Sequence, residues 1–89
     1  MSATAHVYPG PDDIVQAIRD LLREAKIGQA EAARRSGIPL VTLNRRLTGR
    51  GRPILMSELF RLREVLGVSV AEMAVRAESI AQHREEAGR

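Results

Sequence analysis

The chain has 89 residues, no cysteine, one phenylalanine, one tyrosine and no tryptophan, with a net charge of +3. That length gives one small domain, and the lack of cysteine removes disulfides and the usual structural zinc sites. No apolar run approaches about 18 residues and the N-terminus lacks the build of a signal peptide, so a membrane span is excluded and a cytoplasmic location is expected.

Residues 1–11 read as a flexible arm. Asp13 and Gln16 stand at capping-box spacing, and Ile14, Ile18, Leu21, Leu22 and Ala25 recur at helical period, predicting a first helix that ends near Lys26. Ile27 then returns to the core.

Gln29 to Ser36 is a short Ala-rich helix, and Gly37 follows where a helix-to-helix turn needs a positive φ. Ile38 points inward, and Pro39 has a fixed φ compatible with opening the next helix. That helix runs from Leu40 to Leu47, with Leu43 and Leu47 on one face, and Gly49 ends it. Ala33 must be small because two helices at roughly 90 to 120° meet there. The pair presents a basic second helix whose outer face is uncovered, the arrangement that enters the major groove of DNA.

After the loop GRGRP, Leu55, Leu59, Leu62 and Leu66 predict a fourth helix over about Met56–Leu66 that stops at Gly67. Ser69 with Glu72 is a second capping box and opens a fifth helix with Val70, Met73, Ala77 and Ile80 as its apolar stripe. The closing HREEAGR reads as frayed. The fold class is therefore all-α with five helices, the helix-turn-helix lying at the second and third. Domain organisation is read as an arm over 1–11, a DNA-binding domain over 12–76 and a C-terminal helical extension and tail over 77–89.

Charge is segregated along this frame. Residues 1–33 carry −2, residues 34–63 carry +7 from eight arginines against Glu58 alone, and residues 64–89 carry −2. The basic block coincides with the reading helix and the loop after it, as a nucleic-acid footprint requires. A solvated arginine-rich face is the plain alternative, but such faces usually interleave both signs.

At Gln29, Ala33, Gly37, Ile38, Leu43 and Gly49, and again in LGVSVAEM over 66–73, the chain resembles the λ-repressor-like helix-turn-helix regulators, the Xre or Cro/C1 type. The resemblance spans residues 14–77, and it departs from the family where Ser36 and Arg46 stand in place of aliphatic residues. Leu47, beside Arg46, can take the vacated core position if the helix turns slightly. The resemblance implies base reading by Leu40, Val41 and Arg45, and a Gln29 that contacts phosphate and steadies the first reader. Thr42 and Asn44 are further side chains available to bases.

The family also grips the backbone through the loop after its reading helix, which points to Arg50 and Arg52, with Arg46 and Arg34 as further phosphate candidates. Arg35, Arg61 and Arg63 either join them or solvate helix faces. Leu40 and Val41 have no hydrogen-bonding capacity, so they either pack on thymine methyls or are covered by a neighbouring helix. Phe60, off the Leu59/Leu62 stripe, joins Ala77 and Ile80 as candidates for a dimer seam. The other reading docks Ala77, Ile80 and Ala81 on Val7 and Tyr8 of the same chain. His6 and His83 read as surface residues.

No serine has a plausible histidine and acid set and no Gly-rich loop fits a phosphate cradle, so an enzyme is not expected. Neither a cofactor nor a small-molecule ligand is called for. The expected partner is a double-stranded DNA operator, bound by a homodimer at least on DNA. The function implied is that of a sequence-specific transcriptional regulator, a repressor of the phage Cro or prophage-control type. An antitoxin that neutralises a toxin and represses its own operon is one alternative, with residues 77–89 as its partner segment. A DNA-bending recombination accessory protein is another.

Overall fold

The computed structural model describes residues 7–88, so expectations for residues 1–6, His6 included, lie outside the described residues. Five helices follow in chain order: α1 Pro11–Glu24, α2 Gln29–Ser36, α3 Leu40–Leu47, α4 Met56–Leu66 and α5 Val70–Ala87. The described chain is all-helical.

Helix α1 starts earlier than the Asp13/Gln16 spacing suggests. Gly10 is the cap, Pro11 takes the first helical position, and Asp13 Oδ2 accepts the Gly10 N–H at 2.8 Å. Asp13 is therefore the returning acid of the box rather than its opening residue, and Gly10 leaves no side-chain oxygen to reciprocate. At the other end Lys26 adopts a left-handed φ of 59°. The Lys26 N–H reaches the Arg23 carbonyl at 3.0 Å and the Ile27 N–H reaches Leu22 at 2.9 Å. These two bonds close a Schellman turn with lysine where glycine is usual. They also turn Ile27 back onto the core.

Helices α2 and α3 are separated by three residues. Gly37 has φ 78°, a left-handed conformation that favours glycine, and the Arg61 guanidinium lies over it, with Nη1 3.0 Å from where a Cβ would stand. Ser36, at a normally aliphatic place, is buried with its hydroxyl satisfied: Oγ donates to the Ala33 carbonyl and accepts the Ile38 N–H at 3.2 Å. A buried polar atom with both bonds made costs little, so the departure is tolerated. Pro39 caps α3 from outside rather than occupying its first turn, and its carbonyl accepts the Leu43 N–H at 2.9 Å.

Ile18, Leu43, Leu47, Leu62 and Met73 are the large side chains wholly withdrawn from solvent. Leu47 thus holds the core place that Arg46 leaves. On α4 the buried face is Leu59, Leu62 and Val65, while Leu55 is the helix cap and about half exposed. The expected stripe is displaced at its start because Leu55 has extended backbone and lies off the helical lattice.

Helix α5 packs antiparallel to α1. Arg76 grips Glu24 with two bonds of 2.6 and 3.0 Å near one end, and Arg84 lies 3.1 Å from Asp13 near the other. The Arg76 guanidinium holds the Glu24 carboxyl below its ordinary range, while Glu24 raises Arg76. Between these pairs Ala17, Ala77 and Ala81 have no exposed surface, as small residues allow two helices to approach closely. Ala77 is therefore internal packing and is corrected as a dimer-seam candidate. The HREEAGR segment, expected to fray, continues α5 as far as Ala87, so the boundary drawn at residue 77 falls inside one helix.

Candidate nucleic-acid interface

The beginning of α2, the outer face of α3 and the loop beyond it form one open concave surface. Gln29, Ala30, Leu40, Val41, Asn44, Arg45, Arg50 and Gly51 line it. The reason is periodicity: with Leu43 and Leu47 turned inward, residues 40, 41, 44 and 45 must face out. Leu40 is 48% and Val41 67% exposed, so no helix among the described residues covers them.

Gln29 is tied to the reading helix, but not through its first residue. Its Oε1 accepts from Asn44 Nδ2 at 3.0 Å, one turn further along α3 than the resemblance implies. Leu40 offers no polar atom to receive such a bond, and Asn44 takes the role. The Asn44 amide keeps one N–H and its Oδ1, the donor and acceptor that adenine's major-groove edge accommodates. The sequence held part of the signal for this pairing, since Asn44 and Arg45 are the two side chains on that face able to donate to Gln29.

The loop that follows is built on two left-handed glycines, Gly49 and Gly51. Arg50 N–H returns to the Arg45 carbonyl at 2.9 Å, which folds the loop back beside α3. Thr48 Oγ1 donates to the Asn44 carbonyl at 2.7 Å, and Arg19 of α1 donates to the Leu47 carbonyl. The open C-terminal end of α3 is thereby satisfied by a hydroxyl and a cation, both favourable at that pole.

The eight arginines of residues 34–63 divide evenly. Arg35 pairs with Glu31, Arg61 reaches the Ser36 carbonyl, Arg63 lies 5.4 Å over the Phe60 ring, and Arg46 pairs with Glu58 at 2.9 Å. The side chains of Arg34, Arg45, Arg50 and Arg52 make no ion pair, hydrogen bond or ring contact with any of the described residues. Arg46 is the correction here. Expected on phosphate, it is only 14% exposed at the side chain and turned toward α4. Thr42, one turn before Arg46, is half-buried and lies outside the concave lining, as do Arg34 and Arg52.

A helix-turn-helix family model matches residues 18–73. The chain belongs to the λ-repressor-like, Cro/C1-type helix-turn-helix family. It is a DNA-binding transcription regulator of that kind. No curated protein and no solved structure matches the chain. Within this regulator the match ends at Met73, so most of α5 lies beyond it. Among the described residues no helix is long and apolar enough to cross a membrane, and no cluster of His, Asp or Glu could hold a metal ion.

Proposed function

We propose that this regulator is a repressor that occupies a palindromic operator, with α3 in the major groove, and that it acts in the cytoplasm. The observation that carries the reading is the shared concave face of Gln29, Leu40, Val41, Asn44, Arg45 and Arg50, on which Arg45 and Arg50 have no acidic partner among the described residues. A guanidinium left without a counterion beside two exposed aliphatic side chains suits a surface made for an anionic, methyl-bearing ligand. Arg45 pairs with guanine O6 and N7, Asn44 with adenine, and Leu40 and Val41 pack on thymine methyls. Gln29, Arg50 and Arg52 hold phosphates, with Arg34 at the edge.

The homodimer is proposed through α4. Leu55, Met56 and Phe60 are all about half exposed or more, and Met56 and Phe60 sit one turn apart on one face. Exposed apolar side chains clustered in this way suit a second copy, and Arg63 over Phe60 supplies a polar edge. Regulation follows the protein's own concentration, as in a Cro or prophage-control repressor. The antitoxin reading has less behind it, because Ala77 and Ala81 of its partner segment are buried.

Selection from a random duplex pool tests the proposal. The expected outcome is a palindromic consensus whose half-sites lie about one helical turn, roughly 34 Å, apart. Recovery of no consensus, or of an unpaired half-site alone, overturns it.

A further inference from the structure

Arg46 and Glu58 are the most deeply placed oppositely charged pair among the described residues of the regulator, with side chains 14% and 11% exposed. Neither lies on the concave face. Their contacts all converge on the loop over 48–55. Arg46 Nε donates to Glu58 Oε1 at 2.9 Å, and the same oxygen accepts the Leu55 N–H at 2.8 Å. Arg46 Nη1 donates to the Arg52 carbonyl at 3.4 Å. One guanidinium on α3 thus holds the exit of the loop from two sides, while Arg50 N–H to the Arg45 carbonyl holds its entrance.

Between these two anchors stand Arg50, Gly51 and Arg52. Gly51 has a left-handed φ of 74°, and a Cβ there would meet nothing within 4 Å, so the loop has no packing of its own at its middle. Ile54 packs against the core just beyond, and hydrogen bonds at the loop's two ends set where the two arginines point. Glu58 is also the single acid of the basic block. A lone carboxylate in a DNA-binding region weakens phosphate attraction unless it does something else.

We infer that Arg46 and Glu58 are positioning residues for DNA binding: they form a clasp that presents Arg50 and Arg52 to the phosphate backbone without touching it. The inference rests on the proposed footprint, and it gives Glu58 an effect opposite in sign to its charge. Replacing Glu58 makes the protein more positive, so Coulomb attraction alone tightens binding to any duplex. Loss of the clasp weakens it.

The experiment measures binding of the full chain to a labelled random-sequence duplex across a salt series. Glu58→Gln keeps an acceptor for Leu55 but discharges the partner of Arg46. Binding is expected to weaken roughly tenfold, with the log-log salt slope shrinking by about 0.9 for each phosphate that the loop no longer neutralises. Arg46→Lys is expected to do the same, because a lysine keeps the charge but cannot reach both Glu58 and the Arg52 carbonyl. Unchanged or tighter binding by Glu58→Gln overturns the clasp, as does a wild-type slope in Arg46→Lys.

Should a single variant fold poorly, Arg46→Met with Glu58→Leu replaces the pair by apolar volume. Such exchanges commonly preserve folding. Circular dichroism is expected to show a native helical domain, binding to be weakened as in the single variants, and amide exchange to be faster at Gly51 and Arg52. Wild-type binding in this folded variant overturns the clasp. Arg50→Ala and Arg52→Ala serve as controls. If they leave the slope unchanged, the footprint itself has failed; if they reduce it and Glu58→Gln does not, only the clasp has.

Discussion

Asn44 on the reading helix donates its amide to Gln29, the first residue of α2, at 3.0 Å. That bond crosses the turn at Gly37 and fixes the plane of an exposed side chain that would otherwise rotate. A reader held in one orientation loses less entropy on contacting a base. Asn44→Ala is therefore expected to cost about 1 to 3 kcal/mol on the selected operator and to relax preference at one base pair per half-site. Gln29→Ala is expected to lower that preference less and to weaken all duplexes slightly with an unchanged salt slope, since it removes the orienting bond and an uncharged phosphate contact. Titrations of both single variants and the double variant check this. Additive losses would separate the two side chains.

The helix-turn-helix was legible because its constraints are local. Gly37 must supply a positive φ, Leu43 and Leu47 four apart define the inner face, and the outward residues follow by elimination. The fates of individual arginines were not. Arg45 and Arg46 are adjacent and chemically identical, and only the placement of Glu58 on α4 decides that one is sequestered and the other left to solvent. The acid standing alone in a block of +7 was the available signal. Ala77 was illegible for a related reason. A small apolar residue beyond the family core looks the same whether a second copy covers it or α1 does, and the pairs Arg76–Glu24 and Arg84–Asp13 that settle the matter join residues far apart in sequence.

Lys26 occupies a left-handed conformation that costs an L-residue roughly 1 to 2 kcal/mol. Lys26→Gly relieves this at the expense of a more flexible unfolded chain, so a net gain of about 1 kcal/mol is expected. Urea unfolding with an unchanged m-value checks it. A loss of stability would mean that the lysine side chain supports the turn.

Glu24 has its pKa lowered in the folded state, mainly by hydrogen bonds from Arg76. A depressed folded pKa means that the stabilisation is fully present above the unfolded value of 4.5 and is lost as pH falls through the folded value. Arg76→Ala is thus expected to be less stable than the parent at neutral pH, with the difference closing in acid. The pair is solvent-accessible, so the gap should also narrow with added salt. Urea midpoints across pH for the two proteins measure this, and a gap that persists in strong acid would rule Glu24 out as its source.

Phe60 and Ala77 separate the two ways an apolar residue can matter to a dimer. Phe60 is 49% exposed and Ala77 not at all. Phe60→Asp is expected to keep the melting temperature while weakening operator binding and shifting the protein toward monomer in sedimentation. Ala77→Asp buries a carboxylate between α1 and α5 and is expected to cost several kcal/mol of stability, about 3 or more. Ile80, half-buried beside Asp13 and Arg84, should fall between them. Equal loss of operator binding and folding in Phe60→Asp would place that ring in the monomer's own packing.

Leu40 and Val41 make the most specific demand on the ligand, because an exposed aliphatic pair can gain only from apolar contact with the groove. Thymine offers a methyl group there and cytosine an amino group, so half-sites are expected to carry thymine opposite these residues. Replacing that thymine by uracil removes the methyl and nothing else, and about 0.8 kcal/mol is the scale for one buried carbon. Val41→Ala should make the protein indifferent to the exchange, since the loss is then already taken. Arg45→Ala should leave the thymine preference intact and instead cost about 1 to 3 kcal/mol at a guanine in the same half-site. Binding to operators with thymine and with uracil, by the parent and both variants, decides the matter. If Arg45→Ala weakens every duplex equally, Arg45 is holding phosphate, and the face of α3 that enters the groove is rotated toward Leu40.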